Sequence, residues 1–193
     1  MANNNIEIEA KVLLSKNNYE KLLNSLNFDE KIKIQKNYYL DSTDRILEKY
    51  SMMLRLRERE GKTKLTLKAP LSQGLLEKNQ NLSEKECLSL SKSNILPRGE
   101  IYDFLEILHI PVSDLKVLAQ LTTERKEMEY KDTKVNISKN TYGDNVDYEI
   151  ECDSDCIEKS EAVLKEILSK YDIECKFNNL SKENRAINSV LKK

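Results

Sequence analysis

The chain has 193 residues, of which 32 are basic and 33 acidic, so a charged fraction of 34% cancels to a net charge of −1. That balance excludes a generally basic nucleic-acid binder, although a local basic pocket can hide inside it. Four glycines and three prolines leave no Gly-rich phosphate loop and no linker array, and the length suits one domain, 1–193, with a sizeable core.

Taken in order, Ile6 to Leu14 reads as a β-strand with Glu7, Glu9 and Lys11 on one face and Ile6, Ile8, Ala10 and Val12 on the other. Ser15 caps a helix reaching about Asn27, with Tyr19, Leu22, Leu23 and Leu26 on one side. A strand over Lys31–Asp41 follows, and Asp41-Ser42-Thr43-Asp44 supplies turn and cap chemistry for one helical turn through Leu47. Ser51 to Glu60 alternates strictly, with Met52, Leu54 and Leu56 against Arg55, Arg57 and Arg59. Glu60-Gly61-Lys62 turns it into a hairpin partner carrying Lys64, Thr66 and Lys68 opposite Leu65 and Leu67.

Gln73 to Leu82 is an extended segment holding Glu77. A helical insertion over about 84–116 comes next: a helix capped by Ser83 and running through Leu90, then one from about Arg98 to Leu108 with Pro97 and Pro111 at its ends. Strands over Val117–Tyr130, Lys134–Lys139 and Asn145–Cys152 form a meander, turning at Asn140–Asp144. The last of them sets Asp147, Glu149 and Glu151 against Tyr148 and Ile150. An amphipathic helix over Asp155–Tyr171 and a final one capped by Ser181, with Lys182 and Arg185 in its first turns, close the chain.

Cys87, Cys152, Cys156 and Cys175 form no CxxC pair, and Cys152-x3-Cys156 lacks partners for a soft-metal site. The one histidine, His109, sits between Leu108 and Ile110 and reads as structural. No signal peptide precedes the first strand and no run approaches the roughly 20 apolar residues of a membrane span. A reduced, cytoplasmic protein is expected.

Charged faces of both signs on many strands point to a polar interior. About eight strands whose apolar faces need cover form an α+β architecture, an eight-stranded antiparallel β-barrel with helices packed outside. Paired Arg and Lys faces repel unless something anionic lies across them. Phosphate suits Arg geometry, and carboxylates in the same cavity suit Mg2+ or Mn2+. No Ser/His/Asp or Cys/His constellation competes, so metal-dependent phosphoryl or nucleotidyl transfer is the chemistry the residues favour.

Glu7-Ile-Glu-Ala-Lys11 resembles the ExExK signature of the CYTH superfamily, the triphosphate tunnel metalloenzymes. The resemblance runs in order through Leu54-Arg55-Leu56-Arg57, Leu65-Thr66-Leu67-Lys68, Thr123-Glu124-Arg125, Asp147-Tyr148-Glu149-Ile150-Glu151 and Ser181-Lys182-Glu183-Asn184-Arg185. With Gly74-Leu-Leu-Glu77 and the insertion after it, the chain is most similar to the family's Firmicute branch, whose members are often labelled adenylate cyclase-like or thiamine triphosphatase-like.

The resemblance implies a tunnel binding triphosphate lengthwise. Lys11, Arg55, Arg57, Lys68 and Arg125 go to the phosphates, Lys182 and Arg185 reach in from the closing helix, and strand parity adds Lys64. Glu7, Glu9, Glu149 and Glu151 hold Mg2+ or Mn2+, with Glu77 and Asp147 as weaker ligands. Lys11 is the catalytic residue it suggests, as general base or orienter, its pKa lowered by burial among cations. Two positions depart from the pattern: Ile137-Ser138-Lys139 lacks the acidic residue often found there, and Lys64 replaces an uncharged one. The implied activity is hydrolysis of tripolyphosphate, thiamine triphosphate or a nucleoside triphosphate. A class IV-like adenylate cyclase and a non-catalytic polyphosphate- or nucleotide-binding module are the alternatives. The partner is a triphosphate-containing small molecule rather than a membrane or nucleic acid, and the outer helices leave a homodimer open.

Overall fold

The computed structural model describes residues 3–72 and 74–191; the side chain of Glu7 lies outside the described residues. In chain order the elements are β1 (Asn3–Glu7), β2 (Glu9–Leu14), α1 (Lys16–Ser25), β3 (Lys33–Asp41), α2 (Ile46–Lys49), β4 (Met53–Arg59), β5 (Lys62–Pro70) and β6 (Leu75–Leu82). Then come α3 (Glu84–Ser93), α4 (Glu100–Ile107), a 3-10 turn (Val112–Asp114), β7 (Lys116–Tyr130), β8 (Thr133–Tyr142), β9 (Asn145–Asp153), α5 (Ile157–Ser169) and α6 (Lys182–Leu191).

The strands make one antiparallel sheet in the order β1-β6-β5-β4-β3-β7-β8-β9-β2. Its two ends are consecutive pieces of the chain. The expected unbroken strand over 6–14 is interrupted at Ile8: Glu7 pairs with Leu75 on β6, while Glu9 pairs with Asp153 on β9. One segment therefore serves both edges, and the eight-stranded tunnel is completed through the chain itself. The break is the local cost of stagger, because strands of a barrel must shear as they wrap and one segment cannot stay in register with both neighbours along its length.

Side-chain parity divides the structure into layers. Outward from β2, β8 and β9, Ala10, Val12, Leu14, Val135, Ile137, Ile150 and Cys152 pack against Leu22 of α1 and Val163, Leu164, Ile167 and Leu168 of α5. Outward from β3, β4 and β5, Leu40, Leu54, Leu56, Leu65 and Leu67 pack under Leu90 of α3 and Ile101 and Leu105 of α4. A third, small apolar group lies on the inward face: Tyr39, Ala119 and Leu121 meet Ala186 and Ile187 of α6. That helix thus caps one end of the tunnel instead of covering the sheet.

Turn chemistry sets the element ends. Glu60 and Gly61 both take positive φ, 49° and 73°, the pattern of a two-residue hairpin loop, so β4 and β5 run to the turn. Gly143 at φ 53° contracts the expected 140–144 turn and lets β8 continue to Tyr142. The Ser83 hydroxyl and Glu86 carboxylate form a reciprocal capping box on α3. His109 at φ 56° is exposed and ends α4, its N–H donating to Glu106 O at 2.9 Å. Cys152 is buried and Cys156 exposed. Among the described residues no helix is long and apolar enough to cross a membrane.

Asp41, fully buried, holds the end of β3 to two helices. Oδ1 accepts from the N–H groups of Ser42 (2.8 Å) and Leu47 (2.9 Å), and Oδ2 from Arg45 Nε (3.1 Å) and the Glu48 N–H (3.2 Å). Arg45 passes the connection on, donating to Asn184 Oδ1 of α6 at 3.0 Å. Removing the carboxylate takes from Arg45 its buried partner, leaving it Glu48 at 3.2 Å and Asn184, and strands the backbone donors of α2. Asp41→Ala is therefore expected to lower unfolding free energy by about 3–5 kcal/mol in urea denaturation. A loss under about 1 kcal/mol would refute the anchoring role.

Candidate active site

Alternation along the strands turns one set of side chains into the tunnel. Its interior bonds run across strands: Arg57 Nε donates to Asn37 Oδ1 at 2.8 Å, Thr66 Oγ to Asn79 Oδ1 at 2.8 Å, and Thr123 Oγ to Asn140 Oδ1 at 2.9 Å. Asn79 in turn donates to Glu77 Oε1 at 2.8 Å. These contacts fix the inward face and place Arg55, Lys68, Arg125, Glu149 and Glu151 on it by register.

The carboxylates form one wall, on β9 and β2. Glu149 and Glu151 are 1% exposed, and neither is left without cations. Lys182 of α6 reaches both, contacting Glu149 and lying 2.7 Å from Glu151 Oε1. Arg125 pairs with the other oxygen of Glu151. Arg185 spans Asp147 Oδ2 at 2.8 Å and Glu149 Oε2 at 2.7 Å, while Asn140 Nδ2 donates to both Asp147 Oδ1 and Glu149 Oε1 at 3.0 Å. Lys11 lies 2.8 Å from Glu9 Oε1.

Burial alone would raise the Glu151 carboxyl, but Lys182, Arg125 and Lys11 hold it well below the usual range. At Glu9, burial and the nearby Glu151 push upward; Lys11, Lys68 and Lys182 together outweigh them and keep it ionised. Lys11 corrects an expectation. Burial does favour its neutral form, yet Glu9, Glu151 and Glu149 lift it above the ordinary lysine value, so it is a fixed cation and not a poised base.

The opposite wall, on β4, carries cations without acids. Among the described residues neither Arg55 nor Arg57 pairs with a carboxylate within ion-pair distance, and Arg55 Nε is buried with no acceptor. Burial, together with Arg55 and Arg125 close by, pushes Arg57 down to about 9. Lys68 sits between the walls, 3.7 Å from Glu77 Oε2. Lys64 is the cross-strand partner of Arg57 on β5, and its side chain is exposed. Ser138, fully buried at the position expected to carry an acid, accepts from Arg125 Nε at 3.0 Å, which leaves the guanidinium's Nη2 to Glu151.

Hard oxygen donors on one wall are the right chemistry for Mg2+ or Mn2+. Glu9 and Glu151 lie close enough to raise each other's proton affinity, a repulsion that a divalent cation relieves. Among the described residues no three acidic, His or Cys side chains already gather at metal distance; Lys11, Lys182, Arg125 and Arg185 hold the carboxylates instead. The donor set fits a divalent cation, with these lysines and arginines as its competitors.

Comparison with known proteins places the chain in a family and matches its fold. The CYTH domain model matches residues 5–187. The "Putative triphosphatase YjbK" of Bacillus subtilis is 32% identical over 169 residues, which are 87% of each chain. A Bacillus halodurans protein whose crystal structure is labelled "putative adenylate cyclase" superposes with a TM-score of 0.88 at 37% identity, over 94% of this chain and 97% of that one. HpAC1 of Hippeastrum, labelled a "putative adenylyl cyclase" and described as revealing a dominant triphosphatase activity, shares the fold at TM-score 0.76 and 21% identity, over 98% and 96%.

One buried group was not anticipated. Glu183 of α6 is 6% exposed and its Oε1 has no hydrogen-bond partner among the described residues. The signal lay in the sequence: it falls three and four residues before Ala186 and Ile187, an acid on the apolar stripe. Asp41, Arg45 and Glu48 face it from the β3–α2 corner, and Arg55 and Tyr39 from the tunnel. Burial pushes its pKa up to about 8; Asp41 and Glu48 add to the rise, and Arg45 and Arg55 oppose it. A raised acid favours folding when protonated, so stability drains as pH climbs from the ordinary carboxylate value through about 8. Glu183→Gln should match the parent near pH 4.5 and melt several degrees higher at pH 8.5, a gain of about 2 kcal/mol or more. A difference in melting temperature that does not change with pH would refute this assignment.

Proposed function

The chain belongs to the CYTH domain family, and from that premise we propose that it is a divalent-metal-dependent hydrolase of triphosphate compounds. The observation that carries the reading is the cation wall: Arg55, buried, and Arg57, half-buried, without carboxylate partners within ion-pair distance among the described residues and facing ionised Glu9 and Glu151. An extended polyanion satisfies the unmet donors on one wall. A divalent cation satisfies the acids on the other. The names borne by the Bacillus subtilis and Hippeastrum proteins support triphosphate as the anion.

In this mechanism Arg55, Arg57, Lys68 and Arg125 take the non-bridging phosphate oxygens, with Lys11 between the phosphates and the acids. Glu9, Glu149 and Glu151, with Glu7, Glu77 and Asp147 in support, would hold Mg2+ or Mn2+. Such an ion supplies Lewis-acid neutralisation of phosphate charge. Water adds to a phosphorus atom, the bond to the bridging oxygen breaks, and charge accumulates on the departing oxygen. Guanidinium groups preset in a water-poor interior stabilise that charge without reorganising. Lys182 and Arg185 hold the Glu149, Glu151 and Asp147 carboxylates in place. A cytoplasmic setting, rich in Mg2+ and triphosphates, completes the proposal.

The test is phosphate release from tripolyphosphate, thiamine triphosphate and ATP, with Mg2+ or Mn2+ and with chelator. Turnover of at least one substrate should vanish on chelation, and Glu9→Gln and Arg57→Ala should each lower kcat/KM about 100-fold or more. Cyclic AMP as the main product from ATP would assign cyclase chemistry instead. Tight tripolyphosphate binding without turnover under any divalent metal would make the tunnel a binding module.

A further inference from the structure

Where the first segment crosses from one sheet edge to the other, the tunnel wall opens sideways. β2 pairs only with β9, and its other edge is taken by a short stretch after α5: Val12 bridges Phe177, and the Asn178 N–H donates to Lys11 O at 2.9 Å. Between this stretch, the start of β6 and the first turns of α5 lies a cavity of about 490 Å³. Glu9 and Lys11, which belong to the charged tunnel, also line it, so the two spaces share a wall.

The lining differs in kind from the tunnel. Phe177, Ile157 and Leu75 give it apolar surface, Asn178 and Asn179 give amides, and Glu158 and Glu161 stand at one side. Its charges nearly cancel. Lys11 offsets Glu9, and Lys165 offsets Glu161 at 3.2 Å while lying 5.2 Å from the Phe177 ring centroid. Glu158 has no basic partner within ion-pair distance among the described residues. One residual negative charge disfavours phosphate here and admits a neutral or cationic group. Size and lining suit a small organic ligand held by an aromatic side chain and a few amides.

We propose that this side pocket receives the organic part of an organic triphosphate, an aromatic heterocycle without negative charge, while its phosphates lie in the tunnel past Lys11. The proposal rests on the triphosphatase reading and narrows it: the preferred substrate is an organic triphosphate rather than inorganic tripolyphosphate. The pocket sorts by polarity and charge, with the anion on the cation wall and the ring on Phe177.

The experiment compares ATP, thiamine triphosphate and tripolyphosphate, by steady-state kinetics and by calorimetric binding, on the parent and two variants. Phe177→Ala removes the ring; Asn179→Trp fills the pocket from an exposed position and leaves the core untouched. Each should raise KM and Kd about tenfold for the preferred organic triphosphate and leave tripolyphosphate within about twofold. Selective loss for thiamine triphosphate identifies a cationic ring, and selective loss for ATP a neutral one. Equal loss for tripolyphosphate, or no loss for any substrate in Asn179→Trp, overturns the pocket. Turnover of tripolyphosphate alone, with organic triphosphates unbound, overturns the pocket and leaves the triphosphatase reading intact. Absence of both binding and turnover for every triphosphate overturns both.

Discussion

Lys182, carried on α6, ends between Glu149 and Glu151. The rest of the tunnel depends on contacts of this type, because burying carboxylates to 1% exposure is costly unless cations sit beside them. The sheet alone does not supply enough of them to β9. Lys11 comes from the neighbouring strand and Arg125 from two strands away, but Lys182 and Arg185 must be delivered by a helix entering the end of the tunnel. That requirement explains why α6 packs Ala186 and Ile187 on an inward apolar patch rather than on the outer layers. It also accounts for the corner at Asp41 and Arg45, which reaches Asn184 and fixes where the helix enters.

Buried ion pairs of this kind seldom stabilise a fold more than apolar side chains of the same volume would. The arrangement is better understood as a division of charge. Acids on β9 and β2 come with their own counter-ions, whereas Arg55 and Arg57 on β4 have none within ion-pair distance among the described residues. Hydrolysis and cyclisation of a triphosphate both need its charge neutralised along that wall, and differ in the attacking oxygen, the phosphorus attacked and the group that leaves. Similar proteins bearing either label can therefore share one tunnel.

Much of this was legible in the sequence because strand parity is a local property. Arg55 alternates with Leu54 and Leu56, and Glu149 and Glu151 flank Ile150, so each strand announces a polar and an apolar face. What parity does not encode is partnership across the ring. That Arg125 would turn to Glu151, with Ser138 beneath it, depends on registers between β7, β8 and β9. Lys11 was expected among cations and stands among acids, because its cross-strand neighbour is Glu151. The interruption at Ile8 is equally non-local: nothing in Glu7-Ile8-Glu9 departs from alternation, and the break appears only when both edges compete for one segment. Glu183 was hidden for another reason, since its environment is assembled from β3, α2 and β4.

That divided segment gives the molecule an unusual order of assembly. Its partners are Leu75 and Asp153, one within the first half of the chain and the other far into the second. A hairpin can zip as it emerges from the ribosome; this seam must wait until β9 has been made. β6 can take β1 as soon as it is made, but β2 keeps an open edge until β9 arrives, and open edges are surfaces on which unfinished sheets aggregate. The stretch that brings acid and lysine to the tunnel is thus also the one that covers both sheet edges, and the charged cluster is complete only when the sheet is.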